Sequence, residues 1–470
     1  MAVPVISVAE MRDWEKATWA SGQTEGEVIR RVGEAVSKKA MEMTRAGDLI
    51  LLLAGKGHNG DDVRAARQFL VERGTALLEV TDPGNDLAKL ESLLSRGPAL
   101  VIDGLFGFGI NRPLNPDWIR LIDRLNQFPE AILSVDVPSG LDADSGQPQG
   151  AAVRARITVT VGAPKRGLLN ASAWEYVGRL EIAADVGLLP CPVRSELIWT
   201  QESDFEHFPP ARSVAGHKGT YGHVGIVAGS IGFHGAAVLS ARGAQRAQPG
   251  LVTLHALEGI YAPVAAQLQA VMVSSWKSAS DISDRHTGLL IGPGLAGSDV
   301  PDEAKKMTQR VWKESSAAVV VDASALGWLT SGQVSTKAIR VITPHPGEAS
   351  RLLESTSEKI QTDRVGSLRA LSRKFGNCWV VLKGHQTLIG QSSGEIHVNS
   401  TGNPHLAQGG SGDLLSGFLT GLLAQPDLQQ DPQKTISYAV WQHGANADKL
   451  QTSRSNWVIE DLSETIGDRC

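Results

Sequence analysis

The sequence predicts an α/β protein of two domains, the first built on a doubly wound parallel sheet. The chain has 470 residues, more than one hydrophobic core usually holds, since domains run to roughly 100–200 residues. Short apolar runs alternate with helix-compatible stretches, which is typical of strand and helix units around a sheet buried on both faces. Fifty residues are glycine, which exceeds the average glycine usage of about 7 %. Such an excess indicates that the backbone approaches ligands closely.

Composition excludes several other classes of protein. Hydrophobic residues make up 42 % and charged residues 20 % of the chain, which argues against disordered, collagen-like and coiled-coil structures. Lys and Arg number 45 against 50 Asp and Glu, a net charge of −5. Because there is no basic surplus, we expect small-molecule partners and neither nucleic acid nor an anionic membrane.

The cysteines and the hydropathy of the chain indicate a compartment. Cys191, Cys378 and Cys470 are far apart, and no two of them have the spacing of a zinc or redox motif. No apolar run approaches the 20 residues or so that a membrane span needs, and the N-terminus has no signal-peptide pattern. The expectation is a cytoplasmic protein.

The predicted strands of the first domain place unusual residues at one edge of its sheet. Apolar runs fall at 48–55, 75–82, 99–107, 131–140 and 155–164, and 61–74 is compatible with a helix. Ligands of such sheets bind beyond the carboxyl ends of the strands. Those ends carry the segments GKGHNGDD, DGLFGFG and DVPSGLDADSG.

A proline-rich stretch between 187 and 215 lacks sustained periodicity, and it includes Pro209 and Pro210. We therefore place a domain boundary near 210, giving domains 1–210 and 211–470. Strand-like runs then resume, which predicts a second α/β domain. These runs lie at 223–230, 251–257, 287–295, 317–326, 340–348, 378–390 and 395–400.

The strongest local signal is the segment 399–425, where Gly409, Gly410 and Gly412 surround Ser411 and Asp413 and an apolar helix follows. A glycine-rich turn at a helix start presents unpaired backbone N–H groups, and the helix dipole adds positive potential, so the turn binds a phosphate. Asp413 at its edge has the chemistry to take a proton from a hydroxyl that attacks phosphorus. The alternative is that Asp413 only caps the helix.

Together with TPHPGE (343–348), VLKGHQT (381–387), GPGL (292–295) and KGTYGHVGIVAGS (218–230), this segment resembles the ribokinase-like ADP- or ATP-dependent NAD(P)H-hydrate dehydratases over about 215–465. Phe233 and Ser411 stand where Tyr and Thr are usual, which leaves the reaction type unchanged. His345 taken alone fits a capping role as well. The resemblance implies ADP or ATP with Mg²⁺ at Lys383, Gly384, His385, Gln386, Thr387, Gly410 and Gly412, and the substrate at Ala236, Gly294, His345 and the catalytic Asp413.

In the first half, Asp103, Asp136 and Ser139 follow successive strands. Carboxylates and a hydroxyl that converge with loop amides bind a hard monovalent cation and also move protons on a bound ring. The alternative is that Asp and Ser only cap turns there.

With LLLAGKGHNGDDVRAARQF (51–69), these segments resemble the NAD(P)H-hydrate epimerases, whose domain is Rossmann-like and covers about 1–210 here. His58, Asp61 and Val63 depart from the family loop. We hypothesise that the Asp61 charge and the Val63 side chain hinder the dinucleotide and slow epimerisation. The resemblance implies K⁺ at Asn59, Asp103 and Ser139, and the substrate at His58, Gly60, Asp62, Gly107, Gly109 and the catalytic Asp136.

The sequence thus predicts a bifunctional repair enzyme for NADH or NADPH hydrates, in which an adenine nucleotide is the second small-molecule partner and the chain forms a homo-oligomer. The sequence does not decide whether the nucleotide is ADP or ATP, or whether the substrate is the hydrate of NADH or of NADPH. The alternative is a ribokinase-like small-molecule kinase whose N-terminal half is a binding or dimerisation module without catalysis.

Overall fold

The computed structural model describes residues 2–276, 282, 285–335 and 337–468. The chain divides into two compact units, of which the first covers Val3–Glu196 and the second begins at Leu197. Each unit contains its own sheet with helices packed against it.

The first unit alternates strands and helices, as its apolar runs predict. Its strands pair in the order β3-β2-β4-β5-β6-β7, and every pair is parallel. The sequence analysis did not predict β7. The elements are β1 (Val3–Pro4), α1 (Val8–Ala20), α2 (Glu25–Met43), β2 (Leu49–Ala54), α3 (His58–Ala66), β3 (Gly74–Glu79), α4 (Pro83–Leu94), β4 (Leu100–Gly104), α5 (Pro116–Asn126), β5 (Ala131–Val135), β6 (Ile157–Val161), α6 (Trp174–Val177) and β7 (Arg179–Ala183).

Strand β2 explains why this sheet is covered on both faces. Side chains alternate between the faces of a strand, and Ile50 and Leu52 belong to one buried cluster with residues of α1 and α2. Leu51 and Leu53 belong to a second cluster with residues of α4 and α5. This confirms the predicted doubly wound arrangement.

The second unit is a larger sheet of the same general kind. Its strands pair in the order β8-β17-β16-β15-β14-β13-β12-β9-β10-β11. Strand β16 is antiparallel to both of its neighbours, and the other pairs are parallel. The elements are β8 (Leu197–Trp199), β9 (His223–Val227), α7 (His234–Arg246), β10 (Leu251–Leu257), α8 (Tyr261–Ala265), β11 (Met272–Trp276), β12 (Gly288–Ile291), α9 (Asp302–Glu314), β13 (Ala318–Val321), β14 (Arg340–Ile342), α10 (Pro346–Leu352), α11 (Ser357–Thr362), α12 (Arg364–Lys374), β15 (Trp379–Leu382), β16 (Leu388–Gly390), β17 (Ile396–Val398), α13 (Ser411–Leu423), α14 (Pro432–Ser453) and α15 (Ile459–Thr465).

Close packing of α13 on α7 fixes the glycine-rich turn that precedes α13. A Cβ atom on Gly417 would lie 2.0 Å from the carbonyl oxygen of Ser240, and one on Gly243 would lie 2.2 Å from that of Leu414. Only glycine permits this approach of the two backbones. The first turn of α13 is therefore held in a defined place beside the sheet.

The segment 197–210 differs from the expected domain division. We expected it to belong to the first domain, but β8 pairs with β17, with Leu197 beside Ile396 and Ile198 beside His397. The compact units divide between Glu196 and Leu197, because the backbone hydrogen bonds of β8 are made within the second sheet. Across the described ranges, each helix is too short or too polar to cross a lipid bilayer.

Candidate functional sites

The first candidate site lies at the start of α13. Gly410 is the N-cap residue with φ +92°, a conformation that favours glycine. Because Gly410 has no side chain to cap the first turn, the amides of that turn are left for a ligand, and the helix dipole favours an anion there. Asp413 is the third residue of the helix, so the N-cap role considered from the sequence belongs to Gly410 instead.

Asp413 has the properties of a general base. Its side chain is largely buried and forms no hydrogen bond or ion pair within the described residues. Burial, together with the negative charges of Asp322 and Glu348, raises the pKa of Asp413 to about 6, although the Lys383 ammonium acts in the opposite direction. A carboxylate with a pKa near neutrality is ionised at pH 7 and still basic enough to accept a proton.

A charged cluster lies beside Asp413. The Nζ atom of Lys383, at the end of β15, is 2.9 Å from Oδ1 of Asp322 and 4.0 Å from Oε2 of Glu348. Burial lowers the pKa of Lys383, but the two carboxylates outweigh it and the net shift is upward. A Cβ atom on Gly412 would lie 3.3 Å from this Nζ, so the lysine ammonium reaches the glycine-rich turn.

The sequence analysis missed Asp322 and Glu348. Asp322 directly follows β13, and an acidic residue at the carboxyl end of a predicted strand was a usable signal. Glu348 is the last residue of TPHPGE, the segment in which only His345 was predicted as a site residue.

The segment Lys383–Thr387 forms a tight turn held by neighbouring groups. Gly384 has φ +130° and Gln386 has φ +51°. Arg364 donates to the carbonyls of His385 and Leu382. Both polar atoms of the buried Gln386 amide lack a hydrogen-bond partner among the described residues. An orphaned buried amide is costly unless something pairs with it, which fits a ligand-binding turn.

His345 has the structural role that the sequence left open. It is the N-cap residue of α10, where Nδ1 accepts from the amide of Gly347 at 3.0 Å, and Glu348 accepts in return from the amide of His345 at 2.8 Å. The imidazole ring is half exposed, with Nε2 3.6 Å from Oε1 of Glu348. His345 thus connects to Lys383 through Glu348.

Ala236 and Gly294 form a separate pair. A Cβ atom on Gly294 would lie 2.7 Å from Cβ of Ala236, and Gly294 has φ +64°. Ser230 Oγ fixes this loop by donating to the carbonyl of Gly294 at 2.6 Å and accepting from the amide of Gly297 at 2.8 Å. Phe233, the departure noted above, is 48 % exposed next to them.

The second candidate site is a cavity of about 850 Å³ in the first unit, at the carboxyl ends of β2, β4 and β5. Six of the predicted residues line it, whereas Gly60, Asp103 and Ser139 do not. Gly60 is buried against Gly55, where a Cβ atom would lie 2.1 Å from a carbonyl oxygen. The predicted lining residues are His58, Asn59, Asp62, Gly107, Gly109 and Asp136.

Asp136 is paired with a buried lysine. Its Oδ1 accepts from Lys165 Nζ at 2.5 Å, from the amide of Val161 at 3.1 Å and from Thr160 Oγ1 at 3.2 Å. Lys165 is fully buried, and a buried ammonium needs such a partner. The sequence analysis missed Lys165, which follows the predicted strand at 155–164 directly.

The three residues predicted to bind K⁺ lie close to one another, and one of them, Asn59, also lines this cavity. Asp103 accepts from Ser139 through Oγ at 2.6 Å and through the amide at 2.9 Å. Asn59 Nδ2 donates to the carbonyl of Phe106 at 2.7 Å, and Ser139 Oγ lies 3.3 Å from the same carbonyl. Asn59 Oδ1 is buried and has no partner in the described chain. An orphaned oxygen among carbonyl, hydroxyl and carboxylate oxygens suits a hard cation.

Asp61 and Val63 lie away from the cavity wall. Asp61 lies 2.7 Å from Arg64, which also pairs with Glu79 at 2.5 Å. Val63 is fully buried in the core against Gly104. Neither residue lines the cavity, and the Asp61 carboxylate pairs with Arg64, which argues against a direct obstruction of the cleft by either side chain.

Together these features define a two-domain α/β protein whose second unit has a ribokinase-like fold. A ribokinase-like superfamily protein from Enterococcus faecalis, 24 % identical, superposes on it with a TM-score of 0.51 over 59 % of this chain and 97 % of that chain. The ADP/ATP-dependent NAD(P)H-hydrate dehydratase from Bacillus subtilis, co-crystallised with ATP/Mg²⁺, is 30 % identical over 55 % of this chain and 91 % of that chain, with a TM-score of 0.49.

Sequence comparisons give the family. The NAD(P)H-hydrate dehydratase family profile matches residues 224–468, and the profile named YjeF-related protein N-terminus matches residues 76–167. The bifunctional NAD(P)H-hydrate repair enzyme of Coxiella burnetii is 34 % identical over 88 % of this chain and 89 % of its own length. That of Gloeobacter violaceus is 31 % identical over 99 % and 97 %. The chain belongs to the family of bifunctional NAD(P)H-hydrate repair enzymes, which confirms the predicted fold class and function.

Proposed function

We propose that the second unit dehydrates (S)-NAD(P)H hydrate at the expense of ADP or ATP with Mg²⁺, and that the first unit interconverts the R and S hydrates with the help of K⁺. The names of the relatives and the Bacillus subtilis dehydratase support this division. The two family profiles match one unit each.

The observation that carries the dehydratase proposal is the position of Asp413 in the first turn of α13, beside amides that are free to bind a phosphoryl group. The hydroxyl at C6 of the hydrated ring loses its proton to Asp413 as its oxygen attacks the terminal phosphorus of the nucleotide. The amides of the turn and the Lys383 ammonium stabilise the charge on the transferred group.

Phosphorylation turns hydroxide into a good leaving group. The lone pair of the ring nitrogen then expels phosphate from C6, and loss of a proton from C5 restores the dihydronicotinamide. The turn Lys383–Thr387, with Gly410 and Gly412, binds the nucleotide in this proposal. Mg²⁺ on the phosphates would neutralise their charge, and Asp322 and Glu348 offer the carboxylate oxygens that this ion takes.

In the first unit the substrate ring lies in the cavity beside Asp136. Asn59, Asp103 and Ser139 hold K⁺ through oxygen atoms, with the orphaned Asn59 Oδ1 as the observation that supports a cation there. When bound, K⁺ would place a positive charge next to the cavity and attract the dinucleotide phosphates.

The Asp413→Asn variant tests the dehydratase proposal. Asn keeps the size of the side chain but accepts no proton in the useful pH range, so turnover should fall by about 10²–10⁴-fold while nucleotide affinity survives. Asp427→Asn, beyond the other end of α13, is the matched control. Return of dihydronicotinamide absorbance from (S)-hydrate measures the reaction, and near-wild-type turnover in Asp413→Asn would rule out Asp413 as the base.

A further inference from the structure

Asp62 and Asp136 are two of the four acidic residues that line the cavity of the first unit, and their surroundings are very different. Asp136 follows β5, and Asp62 lies on α3. Asp62 is only 7 % exposed and makes no hydrogen bond or ion pair with any described residue. A carboxyl group this buried without a partner is costly in its ionised form, so its place on the wall of a ligand cavity calls for an explanation.

Hydrogen bonds hold one carboxylate oxygen of Asp136 and leave the other without a partner among the described residues. Its Oδ1 is occupied by three donors, of which Lys165 Nζ at 2.5 Å carries a full charge. Its Oδ2 has no hydrogen bond to the described residues, and Asp136 lines the cavity. Oδ2 is therefore the atom that is free to accept a proton from a bound substrate.

The surroundings of Asp62 favour its neutral form. Burial raises the pKa of Asp62 well above its ordinary value, and the charges of Asp136, Asp61 and Glu15 raise it further. A neutral carboxyl group has an O–H to donate. The other charged or titratable groups on the cavity wall are Glu15, Glu25, Lys56, His58 and Arg112.

We propose that Asp136 Oδ2 and Asp62 are the proton acceptor and donor of the epimerisation, that the reaction proceeds by opening of the ring, and that Lys165 is the positioning residue for Asp136. The proposal rests on the epimerase function proposed above for the first unit. Two carboxyl groups of opposite protonation are the arrangement that lets one site remove and deliver a proton in the same step.

Ring opening and reclosure invert C6 through successive proton transfers. The C6 hydroxyl gives its proton to Asp136 Oδ2, the C6–N1 bond breaks as the carbonyl at C6 forms, and N1 takes the proton of Asp62. Rotation about C5–C6 turns the other face of the aldehyde toward N1. In the reverse step N1 attacks C6, Asp62 recovers the N1 proton, and Asp136 returns its proton to oxygen. The centre is inverted with no net change in water or redox state.

Loss of water is the competing route, and it fits this site less well. It needs an acid to protonate the hydroxyl but no base at that moment, and it leaves an iminium cation at C6. That cation becomes dihydronicotinamide by losing a C5 proton, which would repair the cofactor without nucleotide. An ionised Asp136 beside the ring would promote this loss, so ring opening is the route consistent with a separate nucleotide-dependent dehydratase.

Oxygen labelling of the wild-type full chain tests the route. A single hydrate epimer is incubated in H₂¹⁸O without nucleotide, and label and inversion are followed by mass spectrometry and chromatography, with the spontaneous rate subtracted. Ring opening retains the original oxygen, so label stays well below one atom per inversion. One ¹⁸O gained per inversion would overturn ring opening.

Asp62→Asn tests the proton donor, with Asp61→Asn as the control on the outer side of the same helix. Epimerisation should fall by about 10²–10⁴-fold in Asp62→Asn, whereas Asp61→Asn should change the plateau rate by about twofold or less. In the wild type the rate should fall at high pH as Asp62 loses its proton, and Asp62→Asn should lack this limb. An unchanged rate in Asp62→Asn would refute the assignment.

Lys165→Met tests the positioning role. Without the ammonium, Oδ1 of Asp136 loses its charged partner, so kcat for epimerisation should fall while KM for the hydrate changes little, a split that a general structural defect would not cause. An unchanged kcat, or a change in KM alone, would contradict the role. Because dehydration takes place in the second unit, the thermal unfolding transition that ADP does not shift reports whether the first unit of each variant is folded. If the wild type itself does not epimerise, the proposed function of the first unit fails, separately from the proton-transfer pair.

Discussion

Replacing Asp413 with Asn should stabilise the second unit even as it removes turnover. The pKa of Asp413 rises from 3.8 to about 6 on folding. Since one pH unit of pKa difference corresponds to about 1.4 kcal/mol, the ionised carboxylate lowers the free energy of unfolding by up to about 3 kcal/mol. Partial exposure and the favourable dipole at the helix start reduce this to about 1–3 kcal/mol. The carboxylate has no hydrogen bond within the described residues to lose, so little opposes the gain.

The pH dependence of this gain follows from the direction of the shift. An acid whose folded-state pKa is raised leaves stability unaffected below its unfolded value, because it is protonated in both states. Between about pH 4 and pH 6, the Asp413 carboxyl is ionised in the unfolded chain but protonated in the folded chain, so the wild type loses stability as pH rises. The difference between Asp413→Asn and the wild type should therefore grow over this window and level off above it.

Thermal unfolding of the full chain at several pH values measures this difference. The transition that ADP shifts upward belongs to the nucleotide-binding unit, so it is the one to compare. A lower midpoint in Asp413→Asn, or a difference that does not vary between pH 4 and pH 6, would refute the account of Asp413 as a carboxylate destabilised by burial.

Other properties should follow from the same structure. Dehydratase turnover should fall about tenfold per pH unit below about 6, as Asp413 is protonated, measured on (S)-hydrate at saturating nucleotide. Replacing K⁺ with Li⁺ should slow epimerisation and spare dehydration, and Asn59→Ala should weaken the response to KCl; equal rates in both salts would contradict the cation site. Gly417→Ala should cost about 1–3 kcal/mol, because its Cβ would meet the Ser240 carbonyl at 2.0 Å, whereas Gly409→Ala meets nothing within 4 Å; calorimetry of both variants decides.

Much of the fold could be predicted because strands that are buried on both faces have continuous apolar sequences. The run at 48–55 became β2 (Leu49–Ala54) and the run at 251–257 became β10 (Leu251–Leu257). Strand β7 (Arg179–Ala183) escaped prediction because its sequence, RLEIA, alternates charged and apolar residues. Strand β8 escaped because three residues give no period, and only its partner β17 makes it a strand.

The site residues that share a motif were easier to predict than those that meet across the fold. Because ligands of such sheets bind beyond the carboxyl ends of the strands, the sequence predicted Asp62 and Asp136 at one site. The pairing of Asp136 with Lys165 depends on where a chain turn returns, which no local pattern encodes. The side chain of Asp61 likewise points away from the cavity because it pairs with Arg64, one helical turn along α3. The roles of the site residues, the domain functions and the homo-oligomer stay predictions.

The membership of β8 in the second sheet has a practical consequence for anyone who divides this protein. A chain that begins at 211 lacks Leu197–Trp199, so the outer backbone groups of Ile396–Val398 lose the strand with which they pair. Strand edges left open in this way recruit other chains and promote aggregation. A fragment that begins at Leu197 keeps this edge covered, so poor solubility of the shorter fragment would reflect the missing strand and not an unstable nucleotide site.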